Sequence, residues 1–153
     1  MDHWQRNAAY GTGCLVIGLA LVVFTHNFFH LADLPGFTGY FALFAYWLVY
    51  FNFSFLINRR FMLKAERNLT LNYFFSFLTT APTLGWIFTK DTGLEEALLP
   101  FVLVILFGAF IGTFFGIKQG RKKRNRYIQA YYEEQENKIP DELKRPHDDL
   151  SNN

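Results

Sequence analysis

The sequence predicts an all-α, polytopic membrane protein: a four-transmembrane-helix bundle with a short cytoplasmic C-terminal tail. Three observations predict it. Four stretches lack charged residues, and each is long enough to cross a bilayer once. Basic residues crowd the flanks on one side of those stretches and avoid the other side. Aromatic residues make up 20% of the 153-residue chain, with 19 Phe. A soluble domain of this size would leave many such rings in water, whereas an outward Phe in lipid costs nothing.

No Asp, Glu, Lys or Arg occurs between Arg6 and Asp33, Asp33 and Arg59, Arg67 and Lys90, or Glu96 and Lys118, gaps of 21 to 26 residues. A hydrocarbon core of roughly 30 Å needs about 20 helical residues at 1.5 Å each. Every gap can span once and none can span twice. The predicted spans are 8–29, 37–57, 69–89 and 97–117.

The first span holds the lone cysteine, Cys14, which reads as a small packing residue with no disulfide partner. Its thin basic flank, and the lack of a small-x-small site before Asp33, argue against a cleaved leader. Asp33-Leu34-Pro35-Gly36 reads as the turn into the second span, and Lys90-Asp91-Thr92-Gly93 as the turn into the fourth. Both connections suit helical hairpins. The third span is the most polar, with Asn72, Ser76, Thr79, Thr80, Pro82, Thr83 and Gly85. The fourth is the purest, running Leu98-Leu99-Pro100-Phe101-Val102-Leu103-Val104-Ile105-Leu106-Phe107.

Orientation follows from the bases. Arg59, Arg60, Lys64 and Arg67 join spans two and three, and Lys118, Arg121, Lys122, Lys123, Arg124 and Arg126 follow span four. The connections on the other side carry Lys90 against Asp33, Asp91, Glu95 and Glu96. The positive-inside rule then puts both termini in the cytoplasm of a plasma-membrane protein. It also requires the third span to cross, since otherwise the two basic blocks would lie on opposite faces. Trp4, Tyr10 and Trp86 fall where aromatic belts are expected.

The spans contain no Asp, Glu, Lys or Arg, with His26 of span one as the possible exception among ionisable groups. Ion-coupled carriers, proton pumps and voltage sensors generally need an ionisable group at depth, so those classes are disfavoured. What the spans do contain is small and polar residues at regular steps. Gly108, Gly112 and Gly116, with Gly120 one step further, cut a groove along one helix face. A second helix, from the same chain or another protomer, can approach closely there. Asn72, Ser76, Thr79, Thr80 and Thr83 share a face of span three. That stripe reads as packing glue within a bundle, or as a polar path for a small solute or lipid headgroup. Pro82 removes one backbone bond, and Thr79 and Thr80 are placed to bond the freed carbonyl. Asn52 of span two is expected at the depth of Asn72, as its neighbour.

His26, His30 and Asp33 lie at i, i+4 and i+7 near the outer end of span one. This is the only spacing that suggests a metal or haem ligand set. Three ligands on one helix end leave such a site open, and no metal or cofactor is assigned. Beyond span four, residues 118–136 read as a basic juxtamembrane segment, helical for one to three turns. Arg121, Lys122, Lys123, Arg124 and Arg126 face anionic lipid headgroups at the cytoplasmic surface, and Tyr127, Ile128, Tyr131 and Tyr132 form an interfacial face. A basic flank is what any cytoplasmic helix end needs, so nucleic acid is not an expected partner. Residues 137–153 read as a flexible polar tail. The Asn68-Leu69-Thr70 sequon falls on the cytoplasmic side, where it goes unused.

Signatures for phosphate loops, nucleophile elbows, zinc helices, dithiols and calcium loops are absent. The expected function is therefore non-enzymatic: an accessory or scaffold subunit that packs with itself as a homo-oligomer or with a larger membrane complex. A small oligomeric transporter, flippase or channel with a polar path along span three is the alternative. A haem- or metal-associated subunit using His26 or His30 is the weaker one.

Overall fold

The computed structural model describes residues 3–32, 34–64, 69–89 and 95–138. They form four helices: α1 (His3–Ala32), α2 (Phe37–Lys64), α3 (Leu69–Thr89) and α4 (Glu95–Lys138). α1, α2 and α4 are long and apolar enough to cross a membrane. α3, the shortest at 21 residues, does not reach that apolarity, because amide, hydroxyl and proline positions dilute its Leu and Phe. The turn before α2 uses Gly36 at a φ of 75°, a left-handed conformation that needs no Cβ. The Gly36 carbonyl accepts the Tyr40 amide at 3.4 Å, closing the first turn of the helix. Asp33, residues 65–68 and residues 90–94, with the predicted turn at Lys90-Asp91-Thr92-Gly93, lie outside the described residues.

The helices pair as alternates in sequence. α2 and α4 run parallel and make the most extensive contact in the bundle, followed by α1 against α3. The reason lies in glycine. A Cβ on Gly108 would come within 2.8 Å of the Trp47 carbonyl oxygen, and one on Gly116 within 2.6 Å of the Phe55 carbonyl oxygen. On Gly112 it would press into the Phe51 carbonyl, and on Gly120 it would meet Met62 Cβ at 2.7 Å. Steps of four on α4 thus match steps of four on α2, backbone against backbone. In lipid, where apolar burial gives no drive, this close approach gains dispersion contact. The groove that the sequence shows is filled from within the chain.

Beside that seam α2 carries an aromatic ladder. Phe44, Trp47, Phe51 and Phe55 stack with ring centroids 5.8, 5.3 and 6.0 Å apart. Elsewhere the outward faces bear large exposed apolar side chains, among them Val16, Leu19, Val23, Phe41, Phe74, Phe77, Phe107 and Phe114. Two apolar clusters fill the interior. One gathers Leu21, Phe29, Tyr46, Tyr50, Ile87, Phe101 and Ile105. The other gathers Cys14, Ile57, Phe61 and Phe75.

α4 does not stop near Ile117. It continues unbroken to Lys138, 44 residues in all, about 66 Å of helix. Leu63, near the end of α2, shares a groove with Arg124, Tyr127, Ile128, Tyr131 and Tyr132 of α4. Tyr127, Ile128, Tyr131 and Tyr132 are exposed there. Tyr127 lies ten residues beyond Ile117, about 15 Å along a straight helix. The face of Tyr127, Ile128, Tyr131 and Tyr132 thus lies on the same continuous helix as the apolar segment, beyond its end. Residues 139–153, most of the predicted flexible tail, lie outside the described residues.

Candidate functional site

The polar stripe of α3 faces inward: Asn72, Ser76, Thr79, Thr80 and Thr83 are all buried. What meets it is a second stripe, on α2, with Tyr46, Tyr50, Ser54 and Asn58 at steps of four, all buried. Two hydrogen-bonded groups result.

The first joins three helices. The Asn58 amide nitrogen donates to the Ser54 carbonyl at 2.8 Å, to Ser76 Oγ at 2.7 Å and towards Thr113 Oγ1 at 3.3 Å. Ser76 and Thr113 share a short hydroxyl–hydroxyl bond. Thr113 Oγ1 also donates to the Ala109 carbonyl at 2.8 Å. One proton order pairs the hydroxyls: Asn58 to Ser76, Ser76 to Thr113, Thr113 to the α4 backbone, while Asn58 Oδ1 and Ser54 Oγ are buried with no hydrogen-bond partner among the described residues. The Ser76 and Thr113 hydroxyls then both give and accept, as buried polar groups require. Thr113 reaches this point only because Gly112 and Gly116 let α4 sit against the α2 backbone.

The second group also joins three helices. Tyr50 OH donates to Thr83 Oγ1 at 2.7 Å and lies 3.3 Å from Thr25 Oγ1. Tyr46 OH donates to the Thr25 carbonyl at 3.4 Å. Rings close over it: Tyr46 packs edge-to-face on Phe101 at 4.6 Å, and Phe101 on Phe29 at 4.8 Å.

Asn52 takes no part. It is exposed and its amide bonds the Leu48 carbonyl of its own helix at 2.8 Å. The step from Asn52 to Asn58 is six residues, about a third of a turn out of phase at 3.6 residues per turn, so Asn58 and not Asn52 faces α3. Asn72 instead donates to Met62 Sδ at 3.3 Å. Nor do Thr79 and Thr80 serve the carbonyl freed by Pro82. Thr79 donates to the Phe75 carbonyl at 2.9 Å, and Thr80 to the Phe77 and Ser76 carbonyls at 3.1 and 3.3 Å. The freed Leu78 carbonyl faces Gly18 of α1. A Cβ there would lie 2.8 Å from the Thr79 carbonyl oxygen, 2.9 Å from Pro82 Cγ and 3.2 Å from the Leu78 carbonyl oxygen. Gly18 thus seats α1 on the proline gap.

His26 and His30 are both exposed on α1. His26 presents edge-to-face to Trp86 at 5.6 Å, while Asp33 lies outside the described residues. Among the described residues no three His, Cys, Asp or Glu gather as a metal ligand set.

The bases after Ile117 divide by environment. Lys123 Nζ lies over the Tyr127 ring at 5.6 Å. Arg121 and Arg124 line a groove with Asn125 and Met62, and Arg124 continues into a second groove with Leu63, Tyr127, Ile128, Tyr131 and Tyr132. Lys122 and Arg126 are exposed.

Sequence reasoning missed Asn58, Thr113, Thr25, Tyr46, Tyr50 and Gly18. The α2 stripe is legible as a step of four in Tyr46, Tyr50, Ser54 and Asn58. A span that ends at Ile57, before the arginines, leaves Asn58 in the connection and hides the pattern. Comparison with family models, with curated proteins and with solved structures finds no match.

Proposed function

We propose that the chain is a four-span plasma-membrane protein with both termini in the cytoplasm, acting as a non-enzymatic accessory or scaffold subunit that packs with itself or with a larger membrane complex. The observation that carries the reading is the mutual pairing of the interior polar groups. Asn58, Ser76 and Thr113 bond one another, as do Tyr50, Thr83 and Thr25. These bonds fix the helices in register and occupy the hydroxyls that make them, which supports a rigid bundle over a reaction centre. With Ser76 and Thr83 bonded to partners on α2 and α4, α3 can cross despite its composition, because each such buried hydroxyl is worth ~0.6–2 kcal/mol to a neighbouring helix. The base-rich ends of α2 and α4 support the cytoplasmic placement. The outward faces and the exposed end of α4 supply surfaces for partners.

The test is the protein mass of the tagged chain extracted from its native membrane in mild detergent. A subunit gives an assembly of defined stoichiometry well above the 17.9 kDa of one chain. A particle of single-chain mass that moves a small solute across liposomes by itself overturns the reading.

A further inference from the structure

We propose that the outward face of α2 is a self-association surface, on which a second copy of the chain packs α2 against α2 and Asn52 hydrogen-bonds its own counterpart. The inference rests on the membrane reading above and names the surface through which the chain packs with itself.

The phase of α2 defines that face. Tyr46, Tyr50, Ser54 and Asn58 turn inward and are buried. Asn52 follows Tyr50 by two residues, about 200° around the helix. It falls in a stripe with Phe41, Ala45, Leu48 and Leu56, at steps of four, three, four and four, which keep to one side of a helix. Phe41, Leu48, Asn52 and Leu56 are exposed, and Ala45 is half-buried. Asn52 also lies seven residues before Arg59, about 10 Å along the helix. A membrane surface level with Arg59 therefore leaves Asn52 inside the hydrocarbon. The Asn52 Nδ2 donates to the Leu48 carbonyl at 2.8 Å. Its second amide proton and its Oδ1 have no partner among the described residues. Lipid tails offer neither donor nor acceptor.

A second copy supplies what lipid lacks. An amide is donor and acceptor at once, so two Asn52 side chains across a two-fold axis complete each other with a reciprocal pair of bonds. Depth selects the same residue as partner. Basic flanks orient every copy alike, which brings each Asn52 to one level in the bilayer and sets the two α2 helices parallel. Leu48 and Leu56 stand one turn to either side of Asn52 and shield the pair from lipid. A single asparagine in an otherwise apolar helix seam fixes register and the number of chains. Asn27 of α1 is placed differently. It too is exposed and bonds its own helix, donating to the Val23 carbonyl at 2.9 Å. It lies five residues from the end of α1 at Ala32, within reach of the headgroups and water at the outer surface.

The experiment uses the full chain in phosphatidylcholine liposomes, with self-association read by energy transfer between donor-tagged and acceptor-tagged copies as the protein-to-lipid ratio is varied. The expected result is saturation at two chains per particle. Asn52→Leu removes both reciprocal bonds and should weaken association by about tenfold, from about threefold per bond. It replaces a polar group by an apolar one on an outward face, so the fold should survive it, as far-ultraviolet circular dichroism checks. Asn52→Gln keeps the amide and should hold association within about threefold, and Asn27→Leu, the same change on α1, should also stay within about threefold. In a Cys14→Ser background, Leu56→Cys should give a disulfide-linked dimer under copper phenanthroline, and Leu19→Cys on the exposed side of α1 should not. Association that ignores Asn52→Leu, equal losses from Asn52→Leu and Asn27→Leu, or equal cross-linking from Leu19→Cys and Leu56→Cys would overturn the surface. Capture of a different membrane protein by Leu56→Cys in the native membrane, in place of a second copy, would overturn the occupant. A chain that dimerises through another face fails this assignment alone and leaves the subunit reading standing. A chain of single-chain mass at every ratio, with no partner in its native membrane, fails both.

Discussion

The glycine seam between α2 and α4 yields the sharpest prediction. In Gly112→Ala the new methyl would press into the Phe51 carbonyl and sit 3.0 Å from Phe51 C and Cα. These are backbone atoms, so no rotamer change relieves the contact. The helices must part locally by about 1 Å, which forfeits a quarter to a half of each affected dispersion contact. Overpacking of this kind costs about 1–3 kcal/mol. Thr113 is the next residue, so the 3.3 Å approach of Asn58 to its hydroxyl opens past bonding distance. In lipid that loss is worth ~0.6–2 kcal/mol. Replacing glycine by alanine in a helix returns about 0.5–1 kcal/mol. The net loss should be about 2–3 kcal/mol. Gly13→Ala and Gly85→Ala are the controls, because a Cβ at either position meets nothing within 4 Å. They should be neutral or slightly stabilising. Unfolding by SDS titration in mixed micelles, followed by far-ultraviolet circular dichroism, measures all three. If Gly112→Ala falls within about 0.5 kcal/mol of Gly13→Ala, beyond which distant sites cease to be simply additive, the α2–α4 seam is not where the structure puts it.

Three further outcomes follow from other contacts. A double-mutant cycle of Asn58→Leu and Thr113→Val should show a coupling of ~0.6–2 kcal/mol; simple additivity would mean that the three-helix bond set does not hold in the membrane. Gly18→Ala should cost about 1–3 kcal/mol, because its methyl would lie 2.8 Å from the Thr79 carbonyl oxygen and 2.9 Å from Pro82 Cγ. If Gly18→Ala in a Pro82→Ala background costs as much as it does alone, the proline gap is not the seat of α1. For topology, Cys14→Ser removes the one native thiol. In that background Leu34→Cys should react with an impermeant maleimide on intact cells, and Asn125→Cys only after permeabilisation; the reverse pattern would refute cytoplasmic termini.

How much of this was legible in the sequence depends on which physical signal each feature leaves. Helix positions follow from charge gaps, since a bilayer excludes ions at a cost no local preference offsets, and α3 spans residues 69–89 as the gap between Arg67 and Lys90 suggests. The inward turn of Asn72, Ser76, Thr79, Thr80 and Thr83 was legible for a related reason, as polar groups in an apolar surrounding must find each other. Partner identity was not. Asn52 and Asn58 differ by six residues, and only the phase of α2, set by the four glycines of α4, decides which amide faces Ser76. Gly18 gave no pattern, because its need arises from Pro82, a residue 64 positions away in sequence. The length of α4 was hidden as well. Lys118 to Arg126 looks like a terminus by charge, yet Lys, Arg, Gln and Glu are good helix formers, and nothing from Lys118 to Lys138 breaks the helix.

The glycines and the polar stripe are two halves of one device. Glycine every fourth residue brings α4 so close to α2 that Thr113 reaches Asn58 and Ser76. Gly18 does the same for α1 on α3, placing Cys14 and Thr25 of the same helix face at the polar interior, Cys14 beside Thr79 and Thr25 beside Tyr50. A missing side chain on α4 thus sets the depth at which the Thr113 hydroxyl meets Ser76 of α3, and one on α1 sets the depth at which the Cys14 thiol meets Thr79. α3 is thus the helix that the other three are shaped to receive. Its polarity would count against crossing if it entered lipid alone, but in company it supplies the bonds that fix the register of α1, α2 and α4. A helix with this role gains little from further apolarity: Ser76→Leu or Thr83→Leu would raise its lipid solubility while unmaking the contacts that specify the bundle.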